Sequence, residues 1–129
     1  MDERDTQDRF MLALCIWREA RSESFLGKVL VAQVIKNRMY DNRWPDTYTG
    51  VILQPLQFSA FNKNDPQATL FPKDDDKSWS ECFEAAVVVM AADVAFTTAN
   101  HYHAKNVKPS WADPLKVKNI EGNHIFYEL

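Results

Sequence analysis

Within the run Arg9-Phe10-Met11-Leu12-Ala13-Leu14-Cys15-Ile16-Trp17-Arg18-Glu19-Ala20-Arg21, one carboxyl group continues an apolar stripe. At 100° per residue on a helix, Leu12, Cys15 and Ile16 point within about 60° of Glu19, whereas Arg18 and Arg21 point elsewhere. A carboxyl set against apolar side chains loses hydration of its charged form, so its pKa rises and it holds a proton where other carboxylates have lost theirs. Such a group can act as a general acid. The competing reading is that the helix has left the core by this turn, with Glu19 solvated or paired with a nearby arginine.

The three histidines, His101, His103 and His124, all lie near the C-terminus. His101 and His103, two apart on a strand, face the same side. That arrangement suits a metal site with one position open to water, or histidines hydrogen-bonded within the fold or gripping a substrate. Neither a His-Glu-x-x-His helix nor a Cys-x-x-Cys pair accompanies them, so no metal and no other cofactor is expected. Cys15 and Cys82 sit in separate apolar helical patterns and are expected as buried thiols without a disulfide. A nucleophilic thiolate wants a helix N-terminus or a cationic neighbour, whereas Cys15 lies mid-helix among Leu12, Leu14 and Ile16.

These groups need elements to position them. A first helix is predicted over residues 5–21, capped by Asp5 or Thr6, and Ser22-Glu23-Ser24 interrupts its pattern. A second, over residues 26–40, carries Leu26, Val29, Leu30 and Val34 on one face with Val31, Ile35 and Met39 beside it, wide enough for a core helix. Residues 41–77 are rich in Pro, Asn, Asp and Thr and read as mostly loop, of a length that usually lines a site. The run Lys73-Asp74-Asp75-Asp76-Lys77 reads as a solvated lead-in with no assigned function, and Ser78-Trp79-Ser80-Glu81 supplies a capping-box pattern after it. A third helix is predicted from there to about residue 99, its small residues allowing close packing. Short strands follow at 101–103, 117–120 and 124–127, with Gly122-Asn123 as a turn before the last.

A chain of 129 residues with 46% hydrophobic content forms one domain, taken over residues 1–129. A formal charge of −3 and a pI near 5.6 argue against a nucleic-acid surface. Four lysines from Lys105 to Lys118 form only a local basic patch, read as solvated surface. No apolar run approaches the length of about 20 residues needed to span a bilayer, and Met1-Asp2-Glu3-Arg4-Asp5 lacks the positive start of a secretory signal. The expectation is a chain that carries no export route of its own.

Taken in order, several segments resemble one known family. They are Arg18-Glu19-Ala20-Arg21-Ser22-Glu23, Val31-Ala32-Gln33-Val34-Ile35-Lys36-Asn37-Arg38, Arg43-Trp44-Pro45-Asp46-Thr47, Gly50-Val51-Ile52, Gln57-Phe58-Ser59, His101-Tyr102-His103-Ala104, Pro109-Ser110-Trp111-Ala112 and Gly122-Asn123-His124-Ile125-Phe126-Tyr127. Over residues 9–127 they look like the cell-wall hydrolase family of the bacterial spore cortex-lytic enzymes. The resemblance implies a mainly α, lysozyme-like domain with a small C-terminal β element. It implies cleavage of the glycan strand of peptidoglycan, as a lytic transglycosylase or a muramidase, with Glu19 as the acid. Ser22 departs from a usual Gly, Lys36 from an apolar residue, and Glu121 looks like an extra residue.

Hydrolysis of a sugar bond generally uses two carboxyl groups, about 5–5.5 Å apart for retention or about 6.5–9.5 Å for inversion. Glu23 is the nearest second candidate, because residues four apart on a helix have Cβ atoms about 5–6 Å apart, provided the helix continues that far. Where the pattern stops, Glu23 instead holds substrate or a loop at the cleft mouth. Glu19 alone would then favour a 1,6-anhydro product. Gln57, Ser59, Tyr102, His103, Trp111 and Asn123 are the candidate glycan contacts, with Phe58 beside them; core and turn structure is the alternative role for these residues. The expected partner is peptidoglycan, and the chain is expected to be a monomer. A phage or prophage endolysin is the expected source, held in the host cytoplasm until a separate membrane-permeabilising protein releases it. Two rival classes are a metal-dependent wall amidase or peptidase using the histidines, and a non-catalytic glycan-binding or virion protein.

Overall fold

The computed structural model of the chain describes residues 3–54, 58, 61 and 65–129. Its elements in order are α1 (Glu3–Ala20), α2 (Phe25–Met39), α3 (Tyr48–Ile52), α4 (Lys77–Ala91), β1 (His101–Ala104), β2 (Val117–Glu121) and β3 (His124–Tyr127). Single 3-10 turns lie at Pro66–Thr69 and Pro114–Lys116. The architecture is mainly helical with a small C-terminal sheet, as the sequence predicts.

Helix α1 begins at Glu3, so Asp5 occupies its first turn and does not cap it. Acids there face the positive end of the helix dipole, which lets the helix extend upstream of the expected cap. Its stripe of Leu12, Ala13, Cys15 and Ile16 is fully buried. The helix ends at Ala20, where the Glu23 amide returns to the Ala20 carbonyl at 2.9 Å, and Ser24 caps α2 by accepting from the Gly27 amide at 3.1 Å. Both cysteines are free and buried.

Helix α2 is buried on nearly every side, including Lys28 at 2% exposure. The Lys28 ammonium donates to the Glu23 carbonyl at 2.6 Å and meets the Glu81 carboxylate at 3.1 Å, so this buried charge is paired. Helix α4 packs across α1 and α2 through Cys82, Ala85, Ala86 and Val89, all fully buried; their small size allows the close approach.

Two expectations about α4 are corrected. Asp76 is its cap, accepting from the Ser78 and Trp79 amides, and Asp76 also receives the Trp17 indole at 3.1 Å. The acidic run therefore has a structural role. At the other end the helix stops at Ala91, well short of residue 99. Lys36 Nζ donates to the Val89 and Ala92 carbonyls at 2.8 Å each, placing a cation on the unsatisfied carbonyls and negative dipole end of α4. A lysine inside α2 thus sets the end of a different helix.

Residues 41–77 are not all loop. Thr47 caps the five-residue α3, and buried Asp8 of α1 holds it by accepting from the Thr49 amide and hydroxyl. So short a helix carries too little periodicity to be read from sequence.

The sheet is antiparallel in the order β1-β3-β2, with Tyr102 opposite Phe126 and His103 opposite Ile125. The expected turn at Gly122-Asn123 joins β2 to β3, and Gly122 adopts φ +56°, a conformation that favours glycine. Glu121, which looked inserted, pairs regularly with His124, and the irregularity lies upstream between Val117 and Asn119.

Candidate active site

Positioning of the site begins on α2. Gln33 accepts from the Phe96 amide at 3.2 Å and donates to Asn37 at 2.8 Å. Asn37 donates to the Thr97 and Ala99 carbonyls at 2.9 and 2.7 Å, and the Arg38 Nε donates to the Asn100 carbonyl at 2.7 Å. Spaced four and five residues apart on a helix, these side chains bind an extended segment that has no partner strand there. They deliver that segment into β1 at a fixed height over the end of α1. Arg38 is itself flanked by the Trp44 and Phe58 rings, 5.0 and 5.5 Å from its guanidinium.

The result is a hydrogen bond from the Tyr102 hydroxyl to Glu19 Oε1 at 2.8 Å. Glu19 is half-buried. Burial raises its pKa, the Tyr102 hydrogen bond pulls it part of the way back, and the Asp65 charge raises it again. Burial and the adjoining Glu19 push the Tyr102 phenol well above its usual range, so it stays a neutral donor. The Cys15 thiol behind Glu19 is driven up by burial and by the same carboxylate, which leaves it unreactive. In the sequence Asp65 is marked only as part of an Asp-Pro loop step. Its own Oδ1 accepts from the Gln67 amide at 2.8 Å, capping the 3-10 turn at Pro66–Thr69.

The arginines flanking Glu19 secure that turn. Arg18 donates to the Leu70 and Ala68 carbonyls and lies over the Phe61 and Phe71 rings, while Arg21 reaches Gln67 at 3.1 Å. Their spacing on either side of an acid was the only signal of this role in the sequence.

Glu23 follows a different course from Glu19. Because α1 ends at Ala20, the four-residue helical spacing does not apply to it. Glu23 is 8% exposed, and its two oxygens accept from the Asn123 amide at 2.7 Å and the Asn123 side chain at 3.1 Å. The His124 Nδ1 lies 3.5 Å from the same carboxylate, with burial holding its imidazole pKa down. Glu23 thus anchors the Gly122-Asn123 turn of this chain. His124 packs edge-on against Tyr102, ring centres 5.2 Å apart, which ties the anchored turn to the donor of Glu19.

Strand alternation separates the remaining candidates. His103 lies across the sheet from Tyr102, packed against Trp111 and Tyr127, and His101 packs on the same Trp111 ring. Its ring nitrogens meet the Ala104 carbonyl at 2.7 Å and the Tyr127 hydroxyl at 2.6 Å. His101 shares that face, as the two-residue spacing predicts, whereas His124 faces Tyr102. The three histidines therefore do not converge, and among the described residues no cluster of His, Cys, Asp and Glu could hold a metal. Gln57 and Ser59 lie outside the described residues; Phe58 is buried, 6.4 Å from the Tyr102 ring.

Comparison with known proteins matches this arrangement to a family. The sequence profile described as Cell Wall Hydrolase matches residues 22–127, a span that starts just after Glu19. The spore cortex-lytic enzyme of Oceanobacillus iheyensis is 42% identical over 119 residues, 90% of this chain and 40% of that protein. The spore cortex-lytic enzyme of Halalkalibacterium halodurans is 44% identical over 50 residues, 39% of this chain and 15% of that protein. The chain thus spans less than half the length of these curated relatives. Among solved structures, the catalytic domain of the germination-specific lytic transglycosylase SleB from Bacillus anthracis superposes with a TM-score of 0.75 at 28% identity, covering 99% of this chain and 97% of that one. The catalytic domain of the Bacillus cereus SleB protein gives 0.72 at 28% identity, covering 99% and 94%.

Proposed function

The chain belongs to the Cell Wall Hydrolase family, and from that premise we propose that it is a lytic transglycosylase of peptidoglycan with Glu19 as its acid and base. The observation that carries the proposal is the half-buried Glu19 carboxyl, its proton affinity raised by burial and its Oε1 held by Tyr102 at 2.8 Å. Glu19 donates its proton to the glycosidic oxygen as the bond to the muramic C1 breaks. The 6-hydroxyl of that sugar then closes on C1 and returns its proton to Glu19, leaving a 1,6-anhydro end and a regenerated acid. No water enters the product.

The fate of Glu23 supports one acid over two. A nucleophile or water-activating base must face the sugar, whereas Glu23 is buried, with each oxygen turned to the Asn123 turn of its own chain. A muramidase remains the second reading because the Asp65 charge reaches Glu19. Digestion of purified peptidoglycan in ¹⁸O-water, followed by mass spectrometry, separates the two. Anhydro ends without label are expected; labelled reducing ends would establish hydrolysis. Glu19→Gln should lower the rate by about 10²–10⁴-fold, the usual contribution of a general acid. Lysis should persist in EDTA, and loss in chelator with recovery on adding zinc would favour a metal-dependent amidase instead.

A further inference from the structure

Sheet hydrogen bonds fix β1 against β3, its neighbour in the order β1-β3-β2, and leave its height over α1 unset. That height decides whether the Tyr102 hydroxyl reaches Glu19. The bond of 2.8 Å is lost once the two oxygens stand more than about 3.5 Å apart, so a shift of under about 1 Å is enough to break it.

Residues 92–100, which lead into β1, have no regular secondary structure, and several of their backbone groups find partners on α2. One backbone group fixes the polarity of this contact. The Phe96 amide can only donate, so Gln33 presents Oε1 to it at 3.2 Å and turns its Nε2 to Asn37 at 2.8 Å. Asn37 must then turn Oδ1 to Gln33 and its amino group to the segment, where it donates to the Thr97 and Ala99 carbonyls at 2.9 and 2.7 Å. The amino group has two hydrogens, and both are used, on carbonyls two residues apart. The segment is thereby fixed along its length as well as in its distance from α2. Asn100, next in the chain, donates its amide to the Tyr127 carbonyl of β3 at 2.8 Å, so the clamped segment is also where the sheet begins. Tyr102 follows two residues later. Resting on the role of Glu19 proposed above, we propose that Asn37 is a positioning residue for the Glu19 carboxyl: it sets the height of β1 over α1 and acts through Tyr102, not on the substrate.

Tyr102, Asp65 and Cys15 are the titratable groups coupled to Glu19, and of these only Tyr102 is carried by the clamped segment. The Tyr102 bond favours the ionised carboxyl, so its loss moves the Glu19 pKa upward. A ¹³C NMR titration of the Glu19 carboxyl reads this directly. Asn37→Ala should move the titration upward, as Tyr102→Phe does, and should move it no further in the Tyr102→Phe background. Rates on soluble peptidoglycan fragments should show the same non-additivity: peak kcat lower by up to about tenfold in Asn37→Ala with KM within about twofold, and no added loss in the double variant. A purely structural role would make the two effects add. A Glu19 titration unmoved in folded Asn37→Ala, or effects that add to those of Tyr102→Phe, would overturn the assignment. Asn37→Ser, which keeps one donor on a shorter side chain, carries the same comparison if Asn37→Ala does not fold, with a smaller shift expected. The titration does not depend on catalysis, so a coupled shift of Glu19 alongside full activity of Glu19→Gln would refute the acid and not the clamp.

Discussion

As the proposed acid, Glu19 must keep its proton long enough to give it away, and Tyr102 acts against that while orienting the carboxyl. Its hydroxyl favours the ionised carboxyl, so it lowers a pKa that burial has raised. Tyr102→Phe should release that restraint. Glu19 would then stay protonated to higher pH, and the alkaline limb of the kcat profile, where activity is lost as Glu19 ionises, should move upward. Peak kcat should fall by about tenfold, because hydrogen bonds to charged groups contribute about 1.5–3 kcal/mol and this one also orients the acid. A pH profile of the purified variant checks both effects; an unmoved or lowered limb would show that Tyr102 does not bond the catalytic carboxyl in solution. In this region the burial of Glu19 was legible in the sequence from the stripe behind it. Its donor was legible only as a family likeness, since the bond from Tyr102 spans most of the chain.

At the scale of elements, the turn between β2 and β3 is held from outside the sheet. Gly122 has φ +56°, and a Cβ added there would stand 2.4 Å from Glu23 Oε1. Gly122→Ala should therefore cost about 1–2 kcal/mol in backbone strain, with a further cost from displacing Glu23. Glu23→Gln replaces one acceptor oxygen by a donor facing Asn123, which should destabilise by about 1–3 kcal/mol. Urea unfolding measures both. In kinetics Glu23→Gln should lower activity less than Glu19→Gln, and equal defects would return Glu23 to the chemistry. Element positions followed from periodicity where a helix was long, as in α1 and α2. The end of α4 did not, because its last carbonyls are satisfied by Lys36, a residue of another helix. The same applies to β1, whose approach is set by Gln33, Asn37 and Arg38 on α2.

Across the whole molecule, a half-buried carboxyl such as the proposed acid Glu19 has a stability signature. The folded state binds the Glu19 proton more tightly than the unfolded chain does, so Glu19 imposes no ionisation penalty below the unfolded pKa. As pH rises through the raised folded pKa the penalty grows to its full value. Glu19→Gln removes it, so thermal melts of the two proteins should nearly coincide near pH 4 and separate toward pH 8, with the inactive variant melting higher. A constant difference across that range would place Glu19 in an unperturbed environment. The sequence by itself determined the helical class, the small terminal sheet, the buried thiols and a half-buried carboxyl, Glu19, at the end of an apolar stripe. Each of these depends on spacing along one element or on the composition of one segment. Tertiary structure alone decided that Glu23 serves a turn, that His103 and Trp111 lie across the sheet from Tyr102, and that the Asp65 charge acts on Glu19. Those outcomes depend on where α1 stops and on which face of β1 meets it, and contacts between residues far apart in the chain leave no period in its sequence.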